Sequence, residues 1–294
     1  MSSRFRHFAA IDWSGAAGER HRGLALALCD EMGGPPRVVR RGHRWSREEV
    51  LDWLLHEMPR GTLVGLDLGA SLPFADSGAF FPGWKESPPD ANALWALVDR
   101  ICRDDPHLAA TSFVDHSEAS RYFRRHGGRE GVNFHAPEAV HRRGRFRVTE
   151  AAQAAMGCRP YSNFNLVGAA QVGKSSLTGM RVLHRLNGRV PLWPFDPLPP
   201  EGSVVLEIYT AIAAMAGGRV PGRSKMKTLV EVNSALERLG SPGLTGCGAI
   251  DDHSADALLT SAWLRSVAER KELWRPRGMT AQIAATEGWT FGAP

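Results

Sequence analysis

Three short apolar segments each carry one acid. HFAAIDWS (7–14), TLVGLDLG (62–69) and SVVLEIYT (203–210) read as buried strands, and they contain Asp12, Asp67 and Glu207. A carboxylate in or at the end of a buried strand is costly unless it is paired, hydrogen-bonded or metal-bound. Taken singly, Asp12 and Asp67 also suit strand-end turns, before Ser-Gly and Leu-Gly. A fourth group, Asp251, Asp252, His253 and Asp256, opens a late helical pattern. Asp252 and Asp256 are four apart and share a helix face. Helix capping accounts for Asp251 or Asp252, but not for Asp256 one turn further in. Acids converging from strands and a helix offer hard oxygen ligands, which favour magnesium or manganese over zinc. Two such ions ~4 Å apart activate water and stabilise the leaving oxygen in phosphodiester cleavage. His253 or Lys225 would assist by proton transfer or charge neutralisation.

A second motif points elsewhere. Residues 168–175 read GAAQVGKS, a full match to the phosphate-loop pattern, with FNLV before it and a helical pattern after it. In that reading the backbone around Gly168 and Gly173 cradles phosphate, Lys174 neutralises it and Ser175 binds magnesium. Against it, the best later strand ends in Glu207 rather than Asp, and too little chain follows for a parallel sheet with crossovers. The other reading is a tight glycine turn entering a helix, with Gly173 and Gly179 allowing close packing.

Basic charge is concentrated. The formal net charge is +5, and 31 of the 36 basic residues are arginine. Between 121 and 147 lie Arg121, Arg124, Arg125, Arg129, Arg142, Arg143, Arg145 and Arg147 against only Glu130 and Glu138, interleaved with Tyr122, Phe123, Phe134 and Phe146. Arginine with aromatics suits phosphate contact and base stacking, so nucleic acid is the expected partner. A solvated loop, or arginine paired with acids elsewhere, is the alternative. A second run holds Arg37, Arg40, Arg41, Arg44 and Arg47.

The elements that must position these groups follow from patterning. Residues 7–14 and 22–31 read as strands, and PRVVRRGHRW as a third. Ser46-Arg47-Glu48-Glu49 is a capping box that opens a helix. Gly61 ends it, and the strand at 62–69 follows. The order β-β-β-α-β implies a mixed sheet with helices on its faces. Residues 70–90 read as a loop, DANALWALVDRICRDD as a helix, and 105–160 as irregular. FNLV, a helix through SLTGMRVLHRLNG, the strand SVVLEIYT, and helices through KMKTLVEVNSALERLG and HSADALLTSAWLRSVAER complete the reading.

This order, with acids on the first and fourth strands and an acid pair on a late helix, resembles the ribonuclease H-like fold. Within it, AIDWSG, VGLDLGASLPF, VVLEIYTA and DDHSADALLTSAWL resemble the family called domain of unknown function 429, described as predicted nucleases. The resemblance spans residue 8 to about 265. It implies a two-metal site on Asp12, Asp67 and Asp256, with Asp252, His253 or Glu207 as further candidates. The late-helix spacing also resembles Holliday-junction resolvases, which usually carry Glu on the fourth strand; Asp67 has a shorter reach. The expectation is one α/β domain over 1–294, with a ribonuclease H-like mixed five-stranded sheet flanked by helices and a large insertion at 70–160.

Composition bounds the rest. At 294 residues, with 43% hydrophobic and 23% charged residues, the chain is globular rather than disordered or fibrous. Cys29, Cys102, Cys158 and Cys247 are too scattered for a zinc framework or a dense disulfide scaffold. The N-terminal apolar run is too short for a signal peptide. No apolar stretch approaches the ~18 residues of a membrane span. A cytoplasmic protein with reduced thiols, no membrane partner and a magnesium or manganese cofactor is expected.

Overall fold

A computed structural model describes residues 4–127, 129–135, 144–168, 171–220 and 225–294. The chain builds a six-stranded mixed sheet in the order β3-β2-β1-β4-β6-β5. The strands are β1 (His7–Asp12), β2 (Ala25–Asp30), β3 (Arg37–Val38), β4 (Thr62–Asp67), β5 (Leu192–Trp193) and β6 (Val204–Glu207). β1, β2 and β3 form an antiparallel meander, whereas β4, β6 and β5 add in parallel from β1 outward.

The sheet has one strand more than the five expected. The extra strand, β5, is two residues long at the edge, too short to leave a periodic signal in sequence. β3 shrinks to two residues, because the Arg-rich segment after it turns away at Arg40 with φ of 52°. FNLV forms no sheet strand; its contribution is one isolated bridge between Asn165 and Arg124.

Alternation along the strands divides the core. Ala9, Ile11, Val64 and Leu66 face one layer, built on α1 (Arg47–Asp52), α2 (Ala91–Ile101) and α5 (Val172–Leu186). Phe8, Ala10, Leu63, Val204 and Leu206 face the other, with Trp263 and Leu264 of α8 (Asp252–Val267). Outside α8 lie α6 (Thr210–Ala216) and α7 (Leu229–Arg238). Sheet on one side and helices on the other bury α8 nearly all round, Asp256, Thr260 and Ser261 included.

The expected helix starts are present. Ser46 Oγ accepts from Glu49 N at 3.1 Å while Glu49 Oε2 accepts from Ser46 N at 2.9 Å, and the helix continues through a π-helical turn at Trp53–Glu57. Asp251 caps α8, its Oδ1 accepting from Ser254 N at 2.8 Å. Asp252 is thereby released from capping.

The 70–160 stretch is irregular and partly helical, with α3 (Thr111–Asp115) and α4 (Val148–Ala155). It is no separate appendage. Phe80, Phe81, Phe113, Tyr122, Phe123 and Phe134 are buried in the same core as β1 and α5. Of the aromatics expected to stack on bases, Tyr122, Phe123 and Phe134 are instead core residues, with Phe123 and Phe164 in edge contact at 5.2 Å, and Phe146 is half-buried. All four cysteines are free thiols. Among the described residues no helix is long and apolar enough to cross a membrane.

Candidate active site

Parallel pairing of β1 with β4 places Asp12 directly beside Asp67. Adjacent strands lie about 4.8 Å apart, and in-register neighbours point to the same face. That face carries α8, whose first two turns bring Asp252, His253 and Asp256 over the strand ends. Asp12 and Asp256 are buried, at 6% and 8% exposure.

Each carboxylate is held differently. Asp12 Oδ2 lies 2.8 Å from His253 Nδ1. Asp67 accepts from Thr210 N at 3.2 Å and Thr210 Oγ1 at 3.0 Å, at the start of α6. Asp256 Oδ2 and Asp252 Oδ2 share the Lys225 ammonium, at 2.8 and 3.2 Å. The i,i+4 acids therefore do face the same point, and a cation stands between them.

Electrostatics mark Asp67 as the strained member. Burial, then the charges of Asp12 and Asp256, push its carboxyl up to about 8, against which the two Thr210 hydrogen bonds work. Burial also raises Asp12, partly offset by its hydrogen bond to His253. That same hydrogen bond raises His253 above its ordinary value, with burial opposing it. Burial would lower Lys225, but Asp256 and its neighbouring acids outweigh this and raise it. For Asp252, burial pushes upward, but His253 and Lys225 prevail and hold it low. Three carboxylates within Coulomb reach of one another are a standing deficit of positive charge.

The donor set is of hard oxygens and fits magnesium or manganese better than softer metals. Among the described residues no three His, Cys, Asp or Glu donors converge as a ready metal cluster. The inner oxygens of Asp12 and Asp256 are engaged instead by His253 and Lys225. A cavity of about 350 Å³ opens onto Asp67, Asp256 and Lys225, with Ser175 and Arg219 on its walls.

Glu207 stands apart from the other acids. It pairs in register with Leu66, not Asp67, so alternation turns it to the opposite face of the sheet. There Arg147 grips it with two bonds, Nη2 to Oε1 at 2.6 Å and Nη1 to Oε2 at 2.8 Å. Ala70 N at 2.7 Å and Thr290 Oγ1 complete its partners. Arg147 also pairs with Glu150 at 2.6 Å, and the network is fully buried. Glu207 is thus held in a buried ion-pair network, which borders the same cavity as Asp67 and Asp256.

The arginines of 121–147 are largely committed to the protein. Arg145 is buried and pairs with Asp76 through Nη2 at 2.6 Å while bonding the Phe80 carbonyl at 2.7 Å. This rules it out as a surface contact to nucleic acid. Arg121, Arg124 and Arg125 pair with Glu118, Glu130 and Asp115 at 3.0, 3.5 and 2.9 Å. Arg142 and Arg143 lie outside the described residues. Arg44 of the second run is better placed: with Arg22, which is also exposed, it lines a cavity of about 460 Å³ together with Asp252 and His253.

Gly168, Gly173, Lys174 and Ser175 do not sit on a sheet strand. Gly173 opens α5, where an added Cβ would meet Asn163 O at 2.4 Å, so its smallness serves packing. Gly168 turns the chain at φ of 82°. Ser175 faces the carboxylate cavity, whereas Lys174 faces a different one.

Thr210 was not anticipated. Its one signal in sequence is a Thr three residues after Glu207 in VVLEIYTA, at the step from strand to helix. No family model, curated protein or solved structure matches the chain.

Proposed function

We propose that this protein is a divalent-cation-dependent phosphodiester hydrolase acting on nucleic acid, on a ribonuclease H-like scaffold. The observation that carries the reading is the register of Asp12 beside Asp67 under Asp256, three carboxylates so placed that burial, and then the charges of Asp12 and Asp256, push Asp67 up to about 8. A meander of three strands, a helical crossover, and a parallel fourth strand beside the first support the scaffold.

Asp12, Asp67 and Asp256, with Asp252 at the rim, would hold magnesium or manganese. Bound there, such an ion lowers the pKa of water and neutralises phosphate charge. Thr210 fixes the orientation of Asp67. His253 holds a proton at Nδ1 against Asp12 and leaves Nε2, 3.8 Å from Asp252, to exchange protons beside the reacting phosphate. Arg22 and Arg44 supply phosphate contacts along the approach.

Asp12→Asn should abolish magnesium-dependent cleavage of nucleic acid while circular dichroism stays that of the folded protein. Unchanged cleavage by that variant sinks the assignment.

One observation favours a second reading. Lys225 already bridges Asp252 and Asp256, as a built-in cation would in a non-catalytic nucleic-acid-binding scaffold. Salt-sensitive binding with no cleavage in magnesium or manganese, and no calorimetric signal for either ion, would select it.

A further inference from the structure

A second cavity, of about 400 Å³, lies across the first turns of α5 from the carboxylates. The wall between them is the loop after β1. Gly15 packs so closely on α5 that an added Cβ would lie 2.4 Å from the Lys174 carbonyl carbon and the Ser175 nitrogen. Arg47 stiffens the same wall by donating to the carbonyls of Ser14, Ala16 and His107, so its charge is spent internally.

The floor is apolar, formed by Pro106, Ala109, Val114, Leu166 and Leu177. The rim is cationic, with Arg125, Arg129 and Lys174. Among the described residues Arg129 and Lys174 have no ion-pair partner, and one acid, Asp115, offsets Arg125. Arg125 Nε is buried without an acceptor. Buried charged donors are almost always paired, and an unpaired one costs more than a neutral group. The rim thus carries three cations against the single anion Asp115, and the cavity has room for an apolar body beneath, within the size range of small-ligand pockets (~300–1,000 Å³).

We propose that this cavity binds a nucleoside monophosphate unit, with the phosphate on Arg125, Arg129 and Lys174 and the base over the apolar floor. The unit is either a free nucleotide or the phosphorylated end of a strand. This mode differs from a phosphate loop: three side chains from two segments hold the phosphate. It does not depend on cleavage at the carboxylates.

The test titrates the full-length protein with AMP by calorimetry. Saturable binding is expected, weakened about tenfold or more in Lys174→Ala and in exposed Arg129→Ala, as befits loss of a charge-assisted hydrogen bond. Asp67→Asn should bind AMP as the wild type does, which separates this site from the proposed catalytic one. Displacement of AMP by a 5′-phosphorylated oligonucleotide but not its 5′-hydroxyl counterpart identifies the strand end as the source. Displacement by neither identifies the free nucleotide. The proposal is overturned by absence of saturable binding at millimolar AMP, by equal affinity for inorganic phosphate, by displacement with both oligonucleotides alike, or by unchanged binding in the Lys174→Ala/Arg129→Ala double variant.

Discussion

The Nδ1 atom of His253 and the Oδ2 atom of Asp12 lie 2.8 Å apart, so the first turn of α8 is tied to the end of β1. The hydrogen bond raises His253 above 6.5, and burial opposes it. A raised histidine contributes stability that is fully present below its unfolded value and is lost as pH rises through the folded one. NMR titration should therefore show His253 above 6.5 in the wild type and lower in Asp12→Asn. Asp12→Asn should also cost more thermal stability at pH 6 than at pH 9; the opposite trend contradicts the pairing.

Asp67 has the same sign for a different reason. Its carboxyl is raised from 3.8 to about 8, first by burial and then by Asp12 and Asp256. The stability linked to its protonated form is complete below pH 4 and disappears as pH climbs through about 8. Asp67→Asn keeps the shape and removes the charge, so its melting temperature should exceed the wild type's by a margin that grows from pH 5 to pH 9. A margin independent of pH would show that Asp67 is not held near 8.

Lys225 competes for the oxygens that a divalent cation would use, at 2.8 Å from Asp256. Lys225→Ala should lower stability in chelator, because two acids lose their counter-charge. The same variant should bind manganese more tightly than the wild type in calorimetry. Weaker manganese binding would instead make Lys225 a supporting residue of an occupied site.

Arg147 lies between Glu150 and Glu207 in a buried network. Removing one member of such a network leaves an uncompensated charge and costs about 3–5 kcal/mol. Arg147→Met should reduce the urea-denaturation free energy by that amount. A loss under about 1 kcal/mol would mean that the acids there are protonated or rehydrated.

Exposed and core arginines should separate in function. Arg22→Ala and Arg44→Ala should weaken nucleic-acid binding, each lowering the salt slope by about 1. Arg145→Ala should lower stability first, since its guanidinium holds Asp76 and the carbonyls of Pro73, Ala79 and Phe80. Equal binding loss from all three variants would count against this division.

Sequence patterning located the strands that carry Asp12, Asp67 and Glu207 and the helix that carries Asp252 and Asp256, because burial periodicity and capping are local properties. Which acids meet is set by register, and register is not local. A single-residue offset sends Glu207 to the far face while Asp67 joins Asp12. Arginine gave the same trouble. Arg145 and Arg147 read in sequence like Arg121 or Arg44, and only tertiary partners such as Asp76, Glu150 and Glu207 distinguish a core ion pair from a surface contact. Gly173 matched a phosphate-loop pattern because close packing, like phosphate cradling, selects the smallest residue, and Gly168 because a φ of 82° favours glycine.

The bond between Asp12 and His253 spans 241 residues of chain. Asp12 is therefore synthesised long before its partners on α8, and the Arg147 network likewise waits for Glu287 and Thr290. On the ribosome, the growing chain carries its arginine runs well before it carries a complete carboxylate cluster. The carboxylate cluster therefore closes late, only once the first turns of α8 have been made.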